Sequence, residues 1–433
     1  MKKKMISLFL CGMMAVTAIV GCGGSGETKS EESGSEVVEI EFWYGLGGKL
    51  GETMESIIND FNETQDEVKV IGVQQSDYAE TKRLVQSAIA SGKVPATVLF
   101  TNQYLQQFAE KGTLEYLDSY IENAPEFHKE DLVESLMDYC QDADGRIFGL
   151  PVYGTTQVMY YNIKAFKDAG INASDIKTWQ DLSAAAKKIH EKNSKMAGWE
   201  PMWGKDNMVD AALSNGASIL SKDGKTVEIN SDAWVEVWDS FRSWIHDDKT
   251  MKIHSGGQGW EYWYKTIDDV LANKAGGYTG SSGDQADLDF TKVAAMEQPG
   301  WGSNASAPTA NALQLVMLEN SSDEEKQGVY EFMKYFTTAE NQANWSMNTG
   351  YVAVRKSTQD VEKFKTYAKD HPQALVPLQQ AMHGSILPED PTGGKIWDAL
   401  KIAADEVEIE GKSAKEALDK AQKTAQEALD AVQ

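Results

Sequence analysis

Two kinds of apolar spacing alternate along the first hundred folded positions. Val37–Trp43 is a short β-type run that enters a loop of glycines, "YGLGGKLG". Lys49–Asn62 follows with Leu50, Met54, Ile57, Ile58 and Phe61 at helical spacing. Val68–Val73 predicts a second strand, and Tyr78–Ser91 a helix with Leu84, Val85, Ala88 and Ile89 inward. Ala96–Thr101 and Asn102–Lys111 repeat the alternation. Such an order predicts a parallel sheet with helices on both faces. Ligands of open α/β sheets sit beyond the carboxyl ends of the strands. That rule lines Trp43–Gly48, Gln74–Tyr78 and Thr101–Gln103 along one rim, with Trp43, Tyr44, Asp77, Tyr78, Asn102 and Gln103 as candidate contacts.

The pattern then changes. Ile147–Asn162 is a long β-rich run, and Trp179–His190 and Asn207–Leu220 are patterned as helices. Ala233–His246 carries Trp234, Val237, Trp238, Phe241 and Trp244 as one apolar stripe, which reads as core. Ala312–Leu318 is strand-like, and Glu324–Phe336, Lys395–Glu410 and Ser413–Val432 are helical.

The N-terminus follows different rules. Lys2, Lys3 and Lys4 precede an apolar run, Met5–Val20, that is shorter than the roughly 20 residues needed to span a bilayer. Ile19-Val20-Gly21-Cys22 resembles a bacterial lipobox, which implies cleavage before Cys22 and a lipid on its sulfur. An ordinary secretion leader with an incidental cysteine is the other reading. Gly23–Glu36 has no apolar anchor and reads as a flexible tether. Cys140 is then the sole cysteine of the folded part, with no basic neighbour in sequence to activate it, and reads as a small apolar residue.

Composition narrows the chemistry. The apolar and charged fractions, 41% and 25%, are usual for a globular protein. A net charge of −25 repels a phosphate backbone, so nucleic acid is excluded as a partner. The glycine loop fails the P-loop pattern, because Leu50 follows Gly48-Lys49 and Trp43 stands where the first glycine is needed. It fails the dinucleotide fingerprint as well, since Leu50 occupies the third glycine position. No metal-ligand spacing stands out, and Asp284, Asp287 and Asp289 in "DQADLDF" read as a surface acidic turn, so no cofactor or metal is expected. "GSSG" is not a nucleophile elbow. A glycosidase needs only two carboxylates and is left open by pattern alone.

The distinctive feature is aromatic. Of 12 Trp and 16 Tyr, many fall in loops, where they can face a ligand. Trp43 and Tyr44 enter the glycine loop, Trp203 sits in "GWEPMWGKDN", Trp260 and Trp263 in "GQGWEYWYKT", and Trp301 in "PGWGSN". Rings with nearby amides and carboxylates suit a neutral, hydroxyl-rich ligand.

Taken in order, the lipobox, the tether, "IEFWYGLGGKLGETMESIINDFNE", "VPATVLFTNQYLQQFAEKGTLEYLDSYI", "FGLPVYGTTQVMYYNIKAFKDAG", "KTWQDL" and "NTGYVAVRKS" resemble the extracellular solute-binding proteins of carbohydrate ABC transporters. The glycerol-3-phosphate-binding subgroup is nearest. The resemblance implies an α/β chain with the two-lobe, type II periplasmic-binding-protein fold, a hinge and an interlobe ligand cleft. It implies a leader at 1–21, a tether at 22–36, a first lobe at 37–150 with a contribution from 310–355, and a second lobe with hinge crossings and C-terminal helices at 151–433. It implies no catalysis, a monomer anchored by the Cys22 lipid on the extracytoplasmic side of the cell membrane, and ABC permease subunits as partners. Tyr78 matches a family tyrosine in the loop after the second strand, Thr155 matches one family serine pair and Ser281 and Ser282 another, and Tyr351 matches a ligand-contacting tyrosine; Trp203 lies near family tryptophans, and Asn102 falls where the phosphate binders carry a glutamate. Tyr153 and Asn311 complete the candidate set. The phosphate-binding members grip phosphate with an arginine where this chain reads "PEDPTGGKIW". Without a bidentate arginine, a neutral sugar or oligosaccharide is expected, with glycerol-3-phosphate or a glycerophosphodiester as the alternative.

Overall fold

The computed structural model describes residues 37–433 apart from positions 143 and 259; the side chains of Gln103 and Tyr104 are also outside the description. The leader, the tether and the Cys22 lipidation expectation lie outside the described residues. No helix among the described residues is long and apolar enough to cross a membrane.

The first β-α-β-α stretch folds as its spacing predicts. Strand β1 (Val38–Tyr44) leads into α1 (Gly48–Thr64), β2 (Val68–Gln74), α2 (Tyr78–Ser91), β3 (Thr97–Thr101) and α3 (Asn102–Ala109). β1 pairs in parallel with both β2 and β3. α1 buries Met54, Ile57, Ile58 and Phe61, the apolar stripe seen in the sequence. Asp77 caps α2 by accepting the Glu80 amide at 2.8 Å, and Gly92 ends it in the left-handed conformation.

β4 (Leu150–Asn162) is the pivotal strand. Up to Thr156 it pairs with β8 (Ala310–Met317), and from Gln157 it pairs with β6 (Gly277–Ser281) and β7 (Val293–Met296). The path of strands is β2-β1-β3-β8-β4-β6-β5, with β5 (Glu200–Pro201) at the far end. Changing partner mid-strand carries β4 out of one core and into another. One core holds Ile40, Phe42, Leu150, Leu315 and Val354; the other holds Met159, Trp199, Trp238, Leu400 and Leu418. The helices of the second are α4 (Trp179–Lys192), α5 (Lys205–Ser214) and α6 (Asp232–Arg242), while α7 (Glu261–Leu271) packs on a smaller cluster with Val158, Tyr160 and Tyr278. After β8 come α8 (Asp323–Phe336), α9 (Ala339–Thr349) and the short α10 (Val376–Ala381), and then α11 (Lys395–Glu408) and α12 (Ala414–Asp430) close the second core. The tryptophan stripe of α6 is buried there, and Cys140 is buried in the first core with its thiol pushed well up by burial.

The chain passes between the two cores at β4, in the segment between β7 and β8, and after α10. A buried polar cluster ties these passages together. Gln380 donates to Thr156 Oγ1 and to the Gln157 carbonyl, both at 2.6 Å, and accepts the Gln298 amide at 2.7 Å. Gln298 donates to the Gln157 carbonyl at 2.8 Å, and Thr156 donates to the Thr309 carbonyl at 2.7 Å. Amides buried this deeply are tolerated only when they are paired.

Gly45, in the glycine loop, has a packing role. A Cβ there would lie 2.3 Å from the Asp77 carbonyl carbon, so the loop after β1 rests directly on the loop after β2. A Cβ on Gly47 would meet nothing within 4 Å. Gly45→Ala is expected to destabilise the protein by about 1–3 kcal/mol through overpacking, and Gly47→Ala by less than about 0.5 kcal/mol. Equal melting temperatures for the two variants would refute this account of the loop.

Candidate functional site

A cleft of about 650 Å³ opens between the two cores. Its floor is the passage region itself, Thr156, Gln157 and Thr309. On the side of the first core it is lined by Thr155, Asn311 and Tyr351. The opposite wall comes from the turn before α5, the first residues of α5, the start of α7 and the turn after β6.

That wall is aromatic, and its rings are held from behind. Trp203 donates its indole N–H to Asp405 Oδ1 on α11 at 2.8 Å, and Glu408 Oε2 accepts the Gly204 amide at 2.9 Å. Gly204, at φ 108°, permits this turn. Trp203 meets Tyr262 edge-on, with centroids 5.0 Å apart at 85°. Trp263 donates to Asp284 Oδ1 at 3.0 Å and stands at 87° to Trp260. Trp260 is 64% exposed and Tyr264 55%, so these two rings extend the wall outward to the mouth.

Carboxylates and amides fill the remaining lining. Asp206 and Asp210 share one face of α5, four residues apart. Asn207, between them, donates to Gln157 Oε1. Lys205 supplies the sole Lys or Arg among the lining residues; it is ion-paired to Asp206, and its ammonium lies 5.4 Å over the Trp397 ring. Burial raises Asp284 to about 7, against hydrogen bonds from Trp263 and from Tyr278. Burial also raises Asp210 to about 6, although Thr309 and Gln298 donate to it.

The candidates named from sequence divide into three groups. Thr155, Trp203, Trp260, Trp263, Ser281, Asn311 and Tyr351 line the cleft together. Others stand directly behind it. Tyr153 packs edge-on against Tyr351 at 5.5 Å and shares a 3.1 Å hydrogen bond with Tyr78. Asn102 donates to Asn311 Oδ1 at 3.1 Å, and Ser282 is buried in the turn between Ser281 and Gly283. Gly283 admits Tyr351, because a Cβ there would lie 2.8 Å from the tyrosine ring. The third group lies elsewhere. β-strand alternation turns Tyr44 into the first core beside Phe42, and turns Trp43 to the opposite face near Val98, with its N–H on Glu41. Trp301 is in the second core, 5.9 Å from Trp244 and bonded to Glu236. Asp77 is spent as the cap of α2. None of these four lines the cleft. Gln103 belongs to α3, but its side chain is outside the description.

Sequence reasoning passed over Gln157, Asn207, Asp210, Tyr262 and Trp397. It also read Asp284 as part of a surface turn, whereas that residue is buried at the cleft wall by its bonds to Trp263 and Tyr278. The polar run "GKDN" after Trp203, opening a helix, was the available signal for α5.

One other cluster has metal-like spacing. Glu200, His254 and Asp269 bring ligand atoms within 4.8 Å of one another. The Lys252 ammonium stands among them, 3.2 Å from Glu200, 3.0 Å from His254 and 2.7 Å from Asp269. Burial raises Glu200 to about 8; burial also acts on Asp269, but donors from Lys252 and His254 hold that carboxyl down at about 2. The group reads as an ion cluster whose cations are Lys252 and Lys274, the latter 3.3 Å from Asp269.

The chain belongs to the bacterial extracellular solute-binding protein family, whose profile matches residues 56–373. It is similar to the sn-glycerol-3-phosphate-binding periplasmic protein UgpB of Yersinia pseudotuberculosis, at 24% identity over 380 residues, 81% of this chain and 82% of that one. Among solved structures it is similar to the cyclic alpha-maltosyl-1,6-maltose binding protein of Arthrobacter globiformis, with a TM-score of 0.77, 18% identity, and coverage of 91% of this chain and 99% of that one. UgpB of Mycobacterium tuberculosis, solved with glycerophosphocholine, gives a TM-score of 0.74 at 21% identity over 92% of this chain and 99% of that one. The sugar-binding protein MalE of Xanthomonas citri gives 0.79 at 17% identity, covering 91% and 98%. These likenesses establish the two-lobe α/β fold, with the cleft between its lobes.

The buried acids make stability depend on pH. Asp284, Asp210 and Glu200 all titrate higher when folded than when unfolded, so the folded state holds more protons between those values. Their contribution is complete below about pH 4, near the unfolded carboxyl pKa, and is lost as the pH rises through about 6 to 8. Asp269 acts oppositely, but its contribution disappears only as the pH falls toward 2. The ligand-free protein is therefore expected to melt higher at pH 5 than at pH 8, and Asp284→Asn to flatten part of that slope. A melting temperature that rises from pH 5 to pH 8 would overturn the assignment.

Proposed function

We propose that this protein captures a neutral, hydroxyl-rich solute, a sugar or oligosaccharide, between its two lobes and delivers it to the permease of an ABC importer. The observation that carries the proposal is the wall of Trp203, Tyr262, Trp263 and Trp260 facing Thr155, Asn311 and Tyr351, with its one lining cation already paired to Asp206. Aromatic faces pack on the C–H faces of sugars, and the amides, hydroxyls and carboxylates accept or donate to their hydroxyl groups. The names of similar proteins, maltose-type sugar binders among them, support the same reading. The protein acts without catalysis, as a monomer on the extracytoplasmic side, held to the membrane by a lipid on Cys22.

Glycerol-3-phosphate or a glycerophosphodiester is the second reading, favoured by the UgpB relatives. A phosphate needs a positive partner, and Lys205 would have to leave Asp206 to serve as one. Lys395, at the start of α11, is not part of the lining.

Calorimetry against a panel of neutral glycans and glycerol phosphates separates the two. Binding to glycerol phosphates with silence across the glycans would reject the sugar reading. With a glycan that binds, Trp260→Ala is expected to weaken affinity by about 1–3 kcal/mol while leaving the melting temperature nearly unchanged, because the ring is mostly exposed. Trp43→Ala is expected to do the reverse, lowering stability and leaving affinity alone.

A further inference from the structure

Asp210 is buried, and it takes three donors from the segment that returns from β7 to β8. Its Oδ1 accepts the Thr309 amide at 2.9 Å and the Thr309 hydroxyl at 2.7 Å. Its Oδ2 accepts Gln298 Nε2 at 2.6 Å. One turn later on the same helix, Ser214 Oγ accepts the Ala307 amide at 3.0 Å. Asn207, three residues earlier, reaches Gln157 on β4. Thus α5, a helix of the second lobe that lines the cleft, is bonded to two of the three passages between lobes. Gln298 then hands the contact to Gln380 at the third.

These bonds differ in kind from those within a lobe. A hinge is a few residues whose backbone angles absorb the closing motion. Thr309, Gln298 and Gln157 are such residues by position, and the first two are held by a carboxylate that lines the cleft. An ionised carboxylate is an acceptor at every lone pair, which matches three donors; an asparagine presents an N–H₂ to one of them.

We infer that Asp210 is the positioning residue of the hinge: by holding Thr309 and Gln298 to α5, it sets the angle between the lobes at which the cleft meets its ligand. The inference rests on the chain being a two-lobe solute-binding protein. It is independent of which solute is bound, so it can be tested without one.

The experiment compares the ligand-free full-length protein with Asp210→Asn and with Leu418→Ala, a cavity in the second core remote from the passages. Small-angle scattering reads the lobe angle, and hydrogen exchange reads the amides of 297–310. Asp210→Asn is expected to shift the radius of gyration and to speed exchange in 297–310 by roughly tenfold, a loss of local protection confined to that segment. Leu418→Ala is expected to lower the melting temperature without either change. If Asp210→Asn lowers the melting temperature yet leaves both the radius and the 297–310 exchange at their wild-type values, Asp210 is only structural and the inference fails. Should that variant not fold, Thr309→Val removes the hydroxyl donor alone; a smaller shift in the same observables supports the inference, and none overturns it.

Discussion

The arrangement on which the rest depends is the buried polar cluster of Thr156, Gln157, Gln298, Thr309, Gln380 and Asp210. Three stretches of chain cross between the lobes, and each would otherwise bury unpaired amides or hydroxyls. Pairing them with one another satisfies those groups, apart from the Gln298 side-chain oxygen, and any slip in register would orphan more of them, at about 1–3 kcal/mol each. Thr156, Gln157, Thr309 and Asp210 of this cluster also line the cleft. Hinge and binding site are therefore built from shared atoms. A solute touching Gln157, Asn207 or Thr309 touches groups that hold the lobes in relation to each other.

The wall above that floor shows how an acidic protein keeps its carboxylates useful. Asp405 and Asp284 each stand behind a tryptophan and accept its indole N–H. The acids fix the rings, and the rings shield the acids. Asp284 is consequently pushed toward neutrality, and Glu408, wholly buried behind the Trp203 turn, is pushed well above the ordinary carboxyl value. The edge-to-face contacts between Trp203 and Tyr262, and between Trp260 and Trp263, hold the rings at steep angles to each other, an arrangement favoured by their quadrupoles. The resulting surface is apolar in its faces and polar at its edges.

Much of the fold was legible in the sequence because it follows local periodicity. The helical stripe of α1 and the tryptophan stripe of α6 are buried on the faces their spacing indicated, and the helix of Tyr78–Ser91 buries Val85 and Ala88 but not Leu84. The candidate site was legible only in part. Trp43 and Tyr44 sit next to the sheet rim in sequence, but strand alternation sends them to opposite faces, and both faces are covered. Trp301 looks like a loop residue, yet the loop folds back onto Trp244 and Glu236. Asp284 lies in what reads as a hydrophilic turn; its burial comes from Trp263, 21 positions earlier, and Tyr278.

By itself, the sequence determined the alternation of strands and helices, the aromatic and acidic character of the chain, and its likeness to the solute-binding family. Those properties reside in spacing and residue type, which act over a few positions. Only the tertiary structure decided which aromatic residues face the cleft and which are packing, because that depends on how distant segments meet across the sheet. It also decided that β4 exchanges β8 for β6 and β7 between Thr156 and Gln157, making one strand serve both lobes. The bonds of Asp210 to Thr309 and Gln298 span about ninety positions of chain. No local pattern encodes such a contact, because it exists only after both lobes have folded and come together.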